Sequence, residues 1–437
     1  MYETNSQKER VVLAAVCGDS GGTESAGGPG AGCGTGASGG TGASGSLDEL
    51  EELVSNSGAE VVGRVSQKRG AAHPVYYLGK GKLEETRELI AQTGATGLVC
   101  DDELSGTQYK KMERLLDTKI MDRTMVILDI FAKRAATSEG KLQVELAQLQ
   151  YNLQRLTGLG TSLSRLGAGI GTRGPGEKKL ETDRRHIRGR ITELTAELRE
   201  AAGRRQVLRA RREKNAIPIV SLVGYTNAGK STLMNTLTGA GVTAAEALFA
   251  TLDTTTRKFS TQSGAEILCT DTVGFIQKLP HGLIKAFHAT LEELVHTDIL
   301  LHVVDASNKE RERQMAVVYG TLRELKCDGK PIITVYNKLD KNVERPLPSD
   351  AGAWRQVAVS ALNGDGVLNL LDIIDEAING FKFNNRLSVL IPYGRGDILG
   401  KLRRGCEILK SEYRADGVFF ELYANEEMKE KLRQYSG

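Results

Sequence analysis

The sequence of 437 residues predicts a protein of the α/β class, and three observations lead to this prediction. Apolar runs that suit buried parallel strands recur at 217–223, 299–305 and 331–336. Segments with helical spacing lie between such runs. At 224–231 a glycine-containing turn joins one predicted strand directly to a predicted helix. Alternating strands and helices are typical of a parallel sheet that is covered by helices on its faces.

The turn at 224–231 reads Gly-Tyr-Thr-Asn-Ala-Gly-Lys-Ser and fits the pattern G-x-x-x-x-G-K-[ST]. Between a strand and a helix, this pattern is typical of a phosphate-binding loop. Glycines let the backbone approach phosphates, and the helix N-terminus faces their negative charge. We expect Lys230 to reach the β- and γ-phosphates and the Ser231 hydroxyl to bind Mg²⁺. The alternative, a chance match in a glycine-rich chain, is disfavoured by the flanking strand and helix.

Two motifs farther along the chain predict the rest of a nucleotide switch. The predicted strand at 266–275 contains Asp271-x-x-Gly274, in which the carboxylate can bind Mg²⁺ through water and the Gly274 N–H can contact a γ-phosphate. Asn337-Lys-Leu-Asp340 follows the strand at 331–336. A carboxylate at Asp340 can accept hydrogen bonds from N1–H and the exocyclic amine of guanine, a donor pair that adenine lacks. Such an acceptor can reject the wrong base by about 10⁴-fold.

A fourth motif, Ser360-Ala-Leu362, follows the short predicted strand at 357–359 and suits a backbone contact to the guanine carbonyl. All four motifs end predicted strands, at the edge where α/β proteins bind ligands. The sequence therefore predicts a GTP site in a P-loop GTPase domain. The predicted nucleotide contacts are Gly224, Tyr225, Thr226, Asn227, Ala228, Gly229, Lys230, Ser231, Phe249, Ala250, Thr251, Leu252, Asp253, Asp271, Thr272, Val273, Gly274, Asn337, Lys338, Leu339, Asp340, Ser360, Ala361 and Leu362.

The first switch must lie between the phosphate loop and Asp271, and two threonines compete there as a ligand of Mg²⁺. The predicted metal ligands are Ser231 and Thr251, with Thr255 as the second choice, and the preference for Thr251 rests on the family resemblance given below. The threonine that does not bind the metal is expected to form local hydrogen bonds to the backbone. The residues predicted to act in catalysis are Lys230, Thr251 and Gly274.

Phe275 follows Gly274, where many GTPases carry a glutamine that orients the attacking water. A phenyl ring cannot orient water, so we expect a low intrinsic rate and a partner or another residue that supplies the missing group. A second interpretation is that the apolar Phe275 side chain packs next to the switch and anchors it. The two interpretations are compatible.

The chain resembles the translation-factor-like class of P-loop GTPases, and within it the HflX family. Besides the four motifs, the resemblance rests on the segments 169–177, 180–185, 248–253 and 279–281. Membership would imply a ribosome-associated GTPase that binds the large subunit and its rRNA and helps to separate stalled ribosomes. It would also make Thr251 the threonine of the first switch, although Thr254 departs from the proline common there. A non-catalytic GTP-regulated RNA-binding switch and a ribosome-assembly factor are the alternatives.

We predict four domains: an N-terminal α/β domain at 1–135, a helical hairpin at 136–214, the GTPase domain at 215–382 and a small C-terminal α+β domain at 383–437. In the first domain we expect strands at 10–17, 60–67, 97–100 and 125–128 and helices at 47–57, 83–93 and 106–116. Residues 18–46 are almost all Gly, Ser, Thr and Ala, so we expect a disordered insert. The lysines Lys80 and Lys82 are placed in a turn before the second helix.

The hairpin is predicted from leucine and isoleucine spacings of three and four residues before and after a glycine-rich connector at 158–177. Residues 173–214 carry fourteen Lys or Arg against seven Asp or Glu. A basic loop with Arg165 and Arg173 suits RNA phosphate. The alternative is that these charges form an ordinary solvated helix surface. The residues alone favour neither interpretation, whereas the resemblance to the HflX family favours contact with RNA.

The composition limits the remaining possibilities. The formal net charge is +3, so the chain is not a simple polycation, and no run of about 18 apolar residues predicts a membrane span. The six cysteines form no C-x-x-C pair, and a zinc site or disulfide framework is not expected. The N-terminus has no signal-peptide pattern. We expect a cytoplasmic monomer with GTP, GDP and Mg²⁺ as ligands, no DNA partner and no stable membrane insertion, and we leave peripheral membrane association open.

Overall fold

A computed structural model describes the parts of the chain used below: residues 8–17, 42–163, 175–214, 217–239, 248–249, 251–252, 254–278, 292–327, 329–341, 343, 346–382, 385–395, 398–399, 402, 406–424 and 426–435. The chain forms two compact units. The first comprises 1–210, 245–253 and 276–290, and the second comprises 211–244, 254–275 and 291–437.

The first unit contains a four-stranded parallel sheet in the order β2-β1-β3-β4. Its strands are β1 (Arg10–Cys17), β2 (Glu60–Lys68), β3 (Gly97–Cys100) and β4 (Lys119–Asp122). Its helices are α1 (Gly42–Ser57), α2 (Lys80–Thr93), α3 (Gly106–Leu116), α4 (Arg123–Arg134), α5 (Ser138–Leu163) and α6 (Pro175–Lys214). Buried aliphatic residues of the strands and of α2 and α3 form one hydrophobic core.

The strand that we predicted at 125–128 is wrong, because these residues belong to the helix α4 and the fourth strand is β4. Asp122 ends β4 and caps α4, since its carboxylate accepts a hydrogen bond from the Met125 N–H at 3.0 Å. Most of α4 is buried, so its apolar residues do not alternate with polar ones. A short apolar run of this kind does not distinguish a buried strand from a buried helix.

Two helices of the first unit begin earlier than predicted. The helix α1 starts at Gly42, so the last residues of the predicted insert are helical, and Ser46 is buried and donates a hydrogen bond to Asp101 at 2.6 Å. The remainder of the insert, residues 18–41, lies outside the described residues. The helix α2 begins at Lys80, after Gly79 in an extended conformation, so Lys80 and Lys82 lie in its first turn and not before it.

The two long helices α5 and α6 match the predicted helical segments and meet side by side within the first unit. Arg190 on α6 pairs with Glu145 on α5 at 2.8 Å, and Arg184 donates a hydrogen bond to the carbonyl of Leu156. The pairs run in opposite directions along the two helices, as an antiparallel hairpin requires. Both ends of the predicted connector are helical, whereas Arg165 and Arg173 lie outside the described residues.

The second unit contains a six-stranded sheet in the order β10-β9-β8-β5-β7-β6. All its pairs are parallel except the antiparallel pair of β6 and β7. The strands are β5 (Ile219–Gly224), β6 (Thr255–Ser260), β7 (Glu266–Asp271), β8 (Ile299–Asp305), β9 (Ile332–Asn337) and β10 (Arg355–Ala358). The helices are α7 (Lys230–Thr238), α8 (Arg311–Glu324) and α9 (Val367–Lys382), with a 3-10 turn at Glu292–His296. Strand β6 and helix α8 were not predicted.

The end of the second unit is a three-stranded antiparallel sheet in the order β11-β13-β12. Its strands are β11 (Asn385–Ile391), β12 (Cys406–Arg414) and β13 (Gly417–Ala424), followed by α10 (Glu426–Leu432) and a 3-10 turn at Arg433–Tyr435. Between β11 and β12, residues 398, 399 and 402 are helical. Within the described parts of the chain, no helix has the length and apolar character needed to cross a membrane.

Candidate nucleotide site

The loop between β5 and α7 has the backbone geometry of a phosphate-binding loop, and two glycines are required for it. Gly224 has φ +155°, and a Cβ there would lie 2.3 Å from the carbonyl oxygen of Val303. Gly229 has φ +92°, and its Cβ would lie 2.3 Å from Nδ2 of Asn337. Any side chain at either position would therefore displace a neighbouring strand or the first residue of the Asn337 motif.

Lys230 is the first residue of α7, and its ammonium lies inside the loop. It donates hydrogen bonds to the carbonyl oxygens of Gly224 and Tyr225, at 3.1 and 2.8 Å. Burial lowers the pKa of Lys230 to about 8, and the nearby charge of Asp271 opposes part of this shift. An ammonium has three donors, so one donor remains for a phosphate oxygen after these two contacts.

Ser231, one of the two predicted metal ligands, lies beside Asp271, which was predicted to bind Mg²⁺ through water. The Ser231 hydroxyl donates to Oδ2 of Asp271 at 2.7 Å. Asp271 is buried at the carboxyl end of β7. In the described parts of the chain, no group of three or more His, Cys, Asp or Glu gathers into a metal cluster. Two hard oxygen ligands without an all-protein cage fit Mg²⁺, which usually binds one or two protein groups together with phosphates and water.

Gly274 and Phe275 lie directly against the phosphate loop. The Phe275 N–H donates to the carbonyl of Gly224 at 3.1 Å, and the Thr226 N–H donates to the carbonyl of Phe275 at 2.8 Å. The Phe275 ring is 2% exposed and packs with Val223 and Leu294 in a hydrophobic cluster of the second unit. The ring therefore points into the core, and this position presents only backbone to the loop.

The predicted base-binding residues are brought together at the ends of β9 and β10. Asn337 is buried and bridges two segments, because its Nδ2 donates to the Ala228 carbonyl at 3.0 Å and its Oδ1 accepts from the Ala361 N–H at 2.9 Å. Oδ1 of Asp340 accepts from the Ser360 hydroxyl at 2.6 Å. Asp340 is exposed, so a guanine base would have to cover it on binding.

Two further predicted contacts lie at this end of the sheet: the Lys338 side chain is held by protein groups, whereas the Leu362 side chain is exposed. The Lys338 ammonium donates to the Asn227 carbonyl at 2.7 Å and pairs with Asp305 at 2.7 Å, so it connects the phosphate loop to β8. The Leu362 side chain is 75% exposed. Its predicted contact therefore involves the backbone of the 360–362 turn rather than an apolar pocket.

The residues of the predicted first switch fall in the first unit. Phe249 is buried, and its ring packs edge to face on Phe131 of α4 with centroids 4.7 Å apart. Leu252 is also buried, and Thr251 is half-buried. Ala250 and Asp253 lie outside the described residues. Thr255 is an exposed residue at the start of β6, opposite Asp271. Which threonine binds Mg²⁺ stays a prediction, and so do the individual nucleotide contacts.

Sequence reasoning missed a second polar cluster, in the first unit. Lys278, four residues after Gly274, pairs with Asp101 and Asp102 at the carboxyl end of β3. Asp101 also pairs with the fully buried Arg123, which reaches Glu49 as well. Nothing in the sequence around Lys278 distinguishes it from a solvated lysine. The sequence feature that could have indicated this cluster is the pair Asp101-Asp102, which directly follows a buried apolar strand.

Comparison with known proteins places the chain in a family. Three family models match it: "GTP-binding GTPase N-terminal" at 44–132, "GTP-binding GTPase Middle Region" at 134–212 and "50S ribosome-binding GTPase" at 219–338. The protein named GTPase HflX of Lacrimispora saccharolytica is 50% identical over 428 residues, which cover 98% of this chain and 96% of the relative. The chain belongs to the HflX family of GTPases.

A second relative agrees with this assignment. GTPase HflX of Escherichia coli is 44% identical over 337 residues, covering 76% of this chain and 79% of the relative. A GTP-binding protein of Sulfolobus solfataricus, solved in complex with GDP, is 22% identical, covers 84% of this chain and 98% of its own, and has a TM-score of 0.41. As a member of the HflX family, the chain is a GTPase with a P-loop GTPase domain, as the sequence predicted.

Proposed function

We propose that this HflX-family GTPase binds the large ribosomal subunit and uses GTP binding to promote the separation of stalled ribosomes into subunits. In the GTP state, Ser231 and Asp271 would fix Mg²⁺ and the Gly274 N–H would contact the γ-phosphate. The switch segments would be ordered by these contacts and released on hydrolysis. When bound, Mg²⁺ would neutralise charge on the β- and γ-phosphates, while Lys230 and the loop amides stabilise the charge that develops in the transition state.

The observation that carries this proposal is the burial of the Phe275 ring. The position after Gly274 commonly supplies a glutamine that orients water, and here it supplies only a carbonyl and an N–H, both bound to the phosphate loop. We therefore expect slow hydrolysis by the free protein and stimulation by a partner. One matching family model is described as a 50S ribosome-binding GTPase, which supports the large subunit as this partner.

The α5–α6 hairpin supports a contact with RNA. Arg185 and Arg188 are exposed on α6, within the segment that has the excess of basic residues. Some of the neighbouring charge is neutralised, since Arg190 pairs with Glu145 and Glu193. Exposed guanidinium groups on a long helix can neutralise several phosphates, which makes the affinity depend on salt.

The decisive experiment measures phosphate release from GTP by the purified protein, alone and with added large ribosomal subunits. We expect a slow rate alone and an increase of many-fold with subunits. A rate that subunits leave unchanged would point to another activator and would contradict the ribosome part of the proposal. Sedimentation of intact ribosomes with the GTP-bound protein adds a second readout, because a subunit-assembly factor should leave the ribosomes joined.

A paired variant tests the hairpin contact directly. The double change Arg185→Ala and Arg188→Ala should weaken binding to large subunits and make the dependence of the affinity on salt less steep, by roughly one log unit per log unit of salt for each phosphate that is no longer neutralised. The control is Arg355→Ala in the second unit, which removes another exposed arginine, one that pairs with Glu376. If both variants lose the same affinity, the hairpin is not a specific RNA contact.

A further inference from the structure

The hydroxyl of Thr226, in the middle of the phosphate loop, is a buried polar group without a partner. The residue is 6% exposed, and among the described residues its Oγ1 has no hydrogen-bond partner. Its backbone is fixed, because the Thr226 N–H donates to the Phe275 carbonyl at 2.8 Å. A buried hydroxyl left without a hydrogen bond is unfavourable. In a ligand-binding loop, such a group is expected to find its partner in the bound ligand.

The surroundings of Thr226 identify the part of the ligand that it would meet. A Cβ built on Gly274 would lie 2.9 Å from Cγ2 of Thr226 and 3.1 Å from Nζ of Lys230. The Thr226 side chain, the Lys230 ammonium and the Gly274 backbone therefore converge on one small volume. Lys230 and the Gly274 N–H are two of the groups that we predict to contact the γ-phosphate. In this structure the methyl group of Thr226 faces that volume. The hydroxyl is bonded to the same Cβ, so rotation about χ1 brings it to the γ-phosphate and the water that attacks it.

Even the slow hydrolysis expected of the free protein requires an oriented water molecule, and the Phe275 side chain does not orient one. Its ring lies in the core, and its carbonyl and N–H are both bound to the phosphate loop. The Lys230 ammonium can only donate, and Ser231 is bound to Asp271 at the predicted metal site. A hydroxyl can accept one hydrogen bond and donate another. It can therefore accept from a water molecule while it donates to a phosphoryl oxygen.

We propose that the Thr226 hydroxyl is a catalytic residue that orients the attacking water toward the γ-phosphate of GTP, in place of the side chain that Phe275 does not supply. The water oxygen forms a bond to the γ-phosphorus, and the bond from the γ-phosphorus to the bridging β–γ oxygen breaks. GDP leaves with the bonding electron pair. The water proton passes to a phosphoryl oxygen, which gives inorganic phosphate. Thr226 keeps its own proton throughout and is not a general base.

Two variants of the full-length protein test this role. Thr226→Val keeps the branched shape of the side chain and removes the hydroxyl, whereas Thr226→Ser keeps the hydroxyl and removes the methyl group. In single-turnover hydrolysis of GTP, we expect Thr226→Val to be slower than the wild type by about 10²-fold, the size of the effect when one such polar group is removed. We expect Thr226→Ser to stay within about threefold of the wild type, because it can still orient the water.

Further readouts separate a catalytic role from a structural one. The dissociation constant for GDP should change by less than about twofold in both variants, since GDP has no γ-phosphate, whereas GDP with aluminium fluoride, which imitates the transferred phosphoryl group, should bind Thr226→Val more weakly. The nucleotide-free Thr226→Val protein should unfold at the same temperature as the wild type or higher, because it no longer buries an unpaired hydroxyl.

Three results would overturn the proposal. The first is hydrolysis by Thr226→Val at the wild-type rate. The second is an equal loss of rate in the valine and serine variants, which would indicate that shape and not the hydroxyl matters. The third is a loss of GDP affinity in step with the rate, which would indicate a distorted loop. None of these measurements needs ribosomes, so the outcome is independent of the proposed ribosome binding.

Discussion

Both units of the molecule contain a parallel sheet, and the carboxyl edges of the two sheets are built in opposite ways. In the first unit, Asp101 and Asp102 directly follow β3. Asp101 accepts from Ser46, Arg123 and Lys278, and Asp102 accepts from Lys278 and from the Tyr77 hydroxyl at 2.7 Å. The carboxylates at this edge are thus surrounded by cations and hydroxyls of the protein itself.

In the second unit, the corresponding edge leaves polar groups for a ligand. The strand β5 ends in a loop whose glycines leave room beside Lys230, and Oγ1 of Thr226 has no partner in the described parts of the chain. Lys230 is paired with carbonyl oxygens rather than with a carboxylate. The position at the carboxyl edge of a sheet therefore does not define a ligand site. Whether the buried polar groups find partners within the protein is the more informative criterion.

The largest expected effect tests base recognition at the second edge. Asp340→Asn should change the preference between GTP and xanthosine triphosphate by about 10⁴-fold in favour of the xanthine nucleotide, because an amide replaces an acceptor of two hydrogen bonds from guanine. Competition of the two nucleotides for binding measures this change. Unfolding in urea should be nearly unaffected, because Asp340 is exposed. If GTP affinity is retained, Asp340 does not contact the base.

Arg123→Met tests whether the first edge is structural. The change leaves Asp101 and Glu49 without the buried guanidinium, and breaking a buried ion pair on one side costs about 3–5 kcal/mol. Urea unfolding of the protein measures this loss. The matched control is Lys119→Met, whose half-exposed pair with Glu9 should contribute at most about 1 kcal/mol. Equal stability of the two variants would contradict the contrast between the edges.

Gly274→Ala tests the second edge in the complementary way. An added Cβ would press on Thr226 and Lys230 beside the predicted γ-phosphate position. We expect hydrolysis of GTP to fall by roughly 10²- to 10³-fold while GDP affinity stays within a few-fold. Gly203→Ala on α6 is the control, because nothing lies within 4 Å of its added Cβ. That variant should keep the wild-type rate and gain up to about 1 kcal/mol of stability.

The protein framework of the candidate nucleotide site could be predicted from sequence, because each motif needs particular residue types at fixed spacing, whereas the individual nucleotide contacts stay predictions. Gly224 and Gly229 are glycines since a Cβ would collide with Val303 or Asn337. Asn337 ends the strand β9 and contacts Ala228 of the phosphate loop, and Asp340 lies three residues farther on and contacts Ser360. Each of these requirements on residue type falls within a short motif, so the motif can be recognised from the sequence alone.

The first unit was harder to predict, because its decisive contacts join distant residues. The capping of α4 by Asp122 could be read from the sequence only after β4 had been recognised, and the short apolar run at 125–128 was read as a strand instead. The burial of Arg123 depends on Glu49 and Asp101, which lie far from it in the chain. Neither contact leaves a periodic pattern, so hydrophobic spacing could not reveal it.

The smallest effect that we predict concerns His302, a second buried polar side chain with an unpaired atom, which lies on the strand β8 beside β5. It lies on β8, opposite Val223 of β5, and its ring packs edge to face on Tyr319 at 5.2 Å. Among the described residues, its Nδ1 has no hydrogen-bond partner. Burial lowers the pKa of His302 to about 4, from an ordinary value of 6.5. Unlike Thr226, this group lies within the sheet and is not expected to meet the nucleotide.

Because the pKa of His302 is lower in the folded protein, the unfolded chain binds the proton more tightly. The free energy of unfolding should therefore be unaffected by this group above pH 6.5 and should decrease as the pH falls from 6.5 toward 4. At pH 5 the loss is roughly 2 kcal/mol.

His302→Leu should lack this part of the decrease between pH 7 and pH 5, as measured by urea unfolding at both values. The exposed His296, replaced by leucine, is the control and should keep the wild-type pH dependence. A decrease of the same size in His302→Leu would show that the acid sensitivity arises elsewhere.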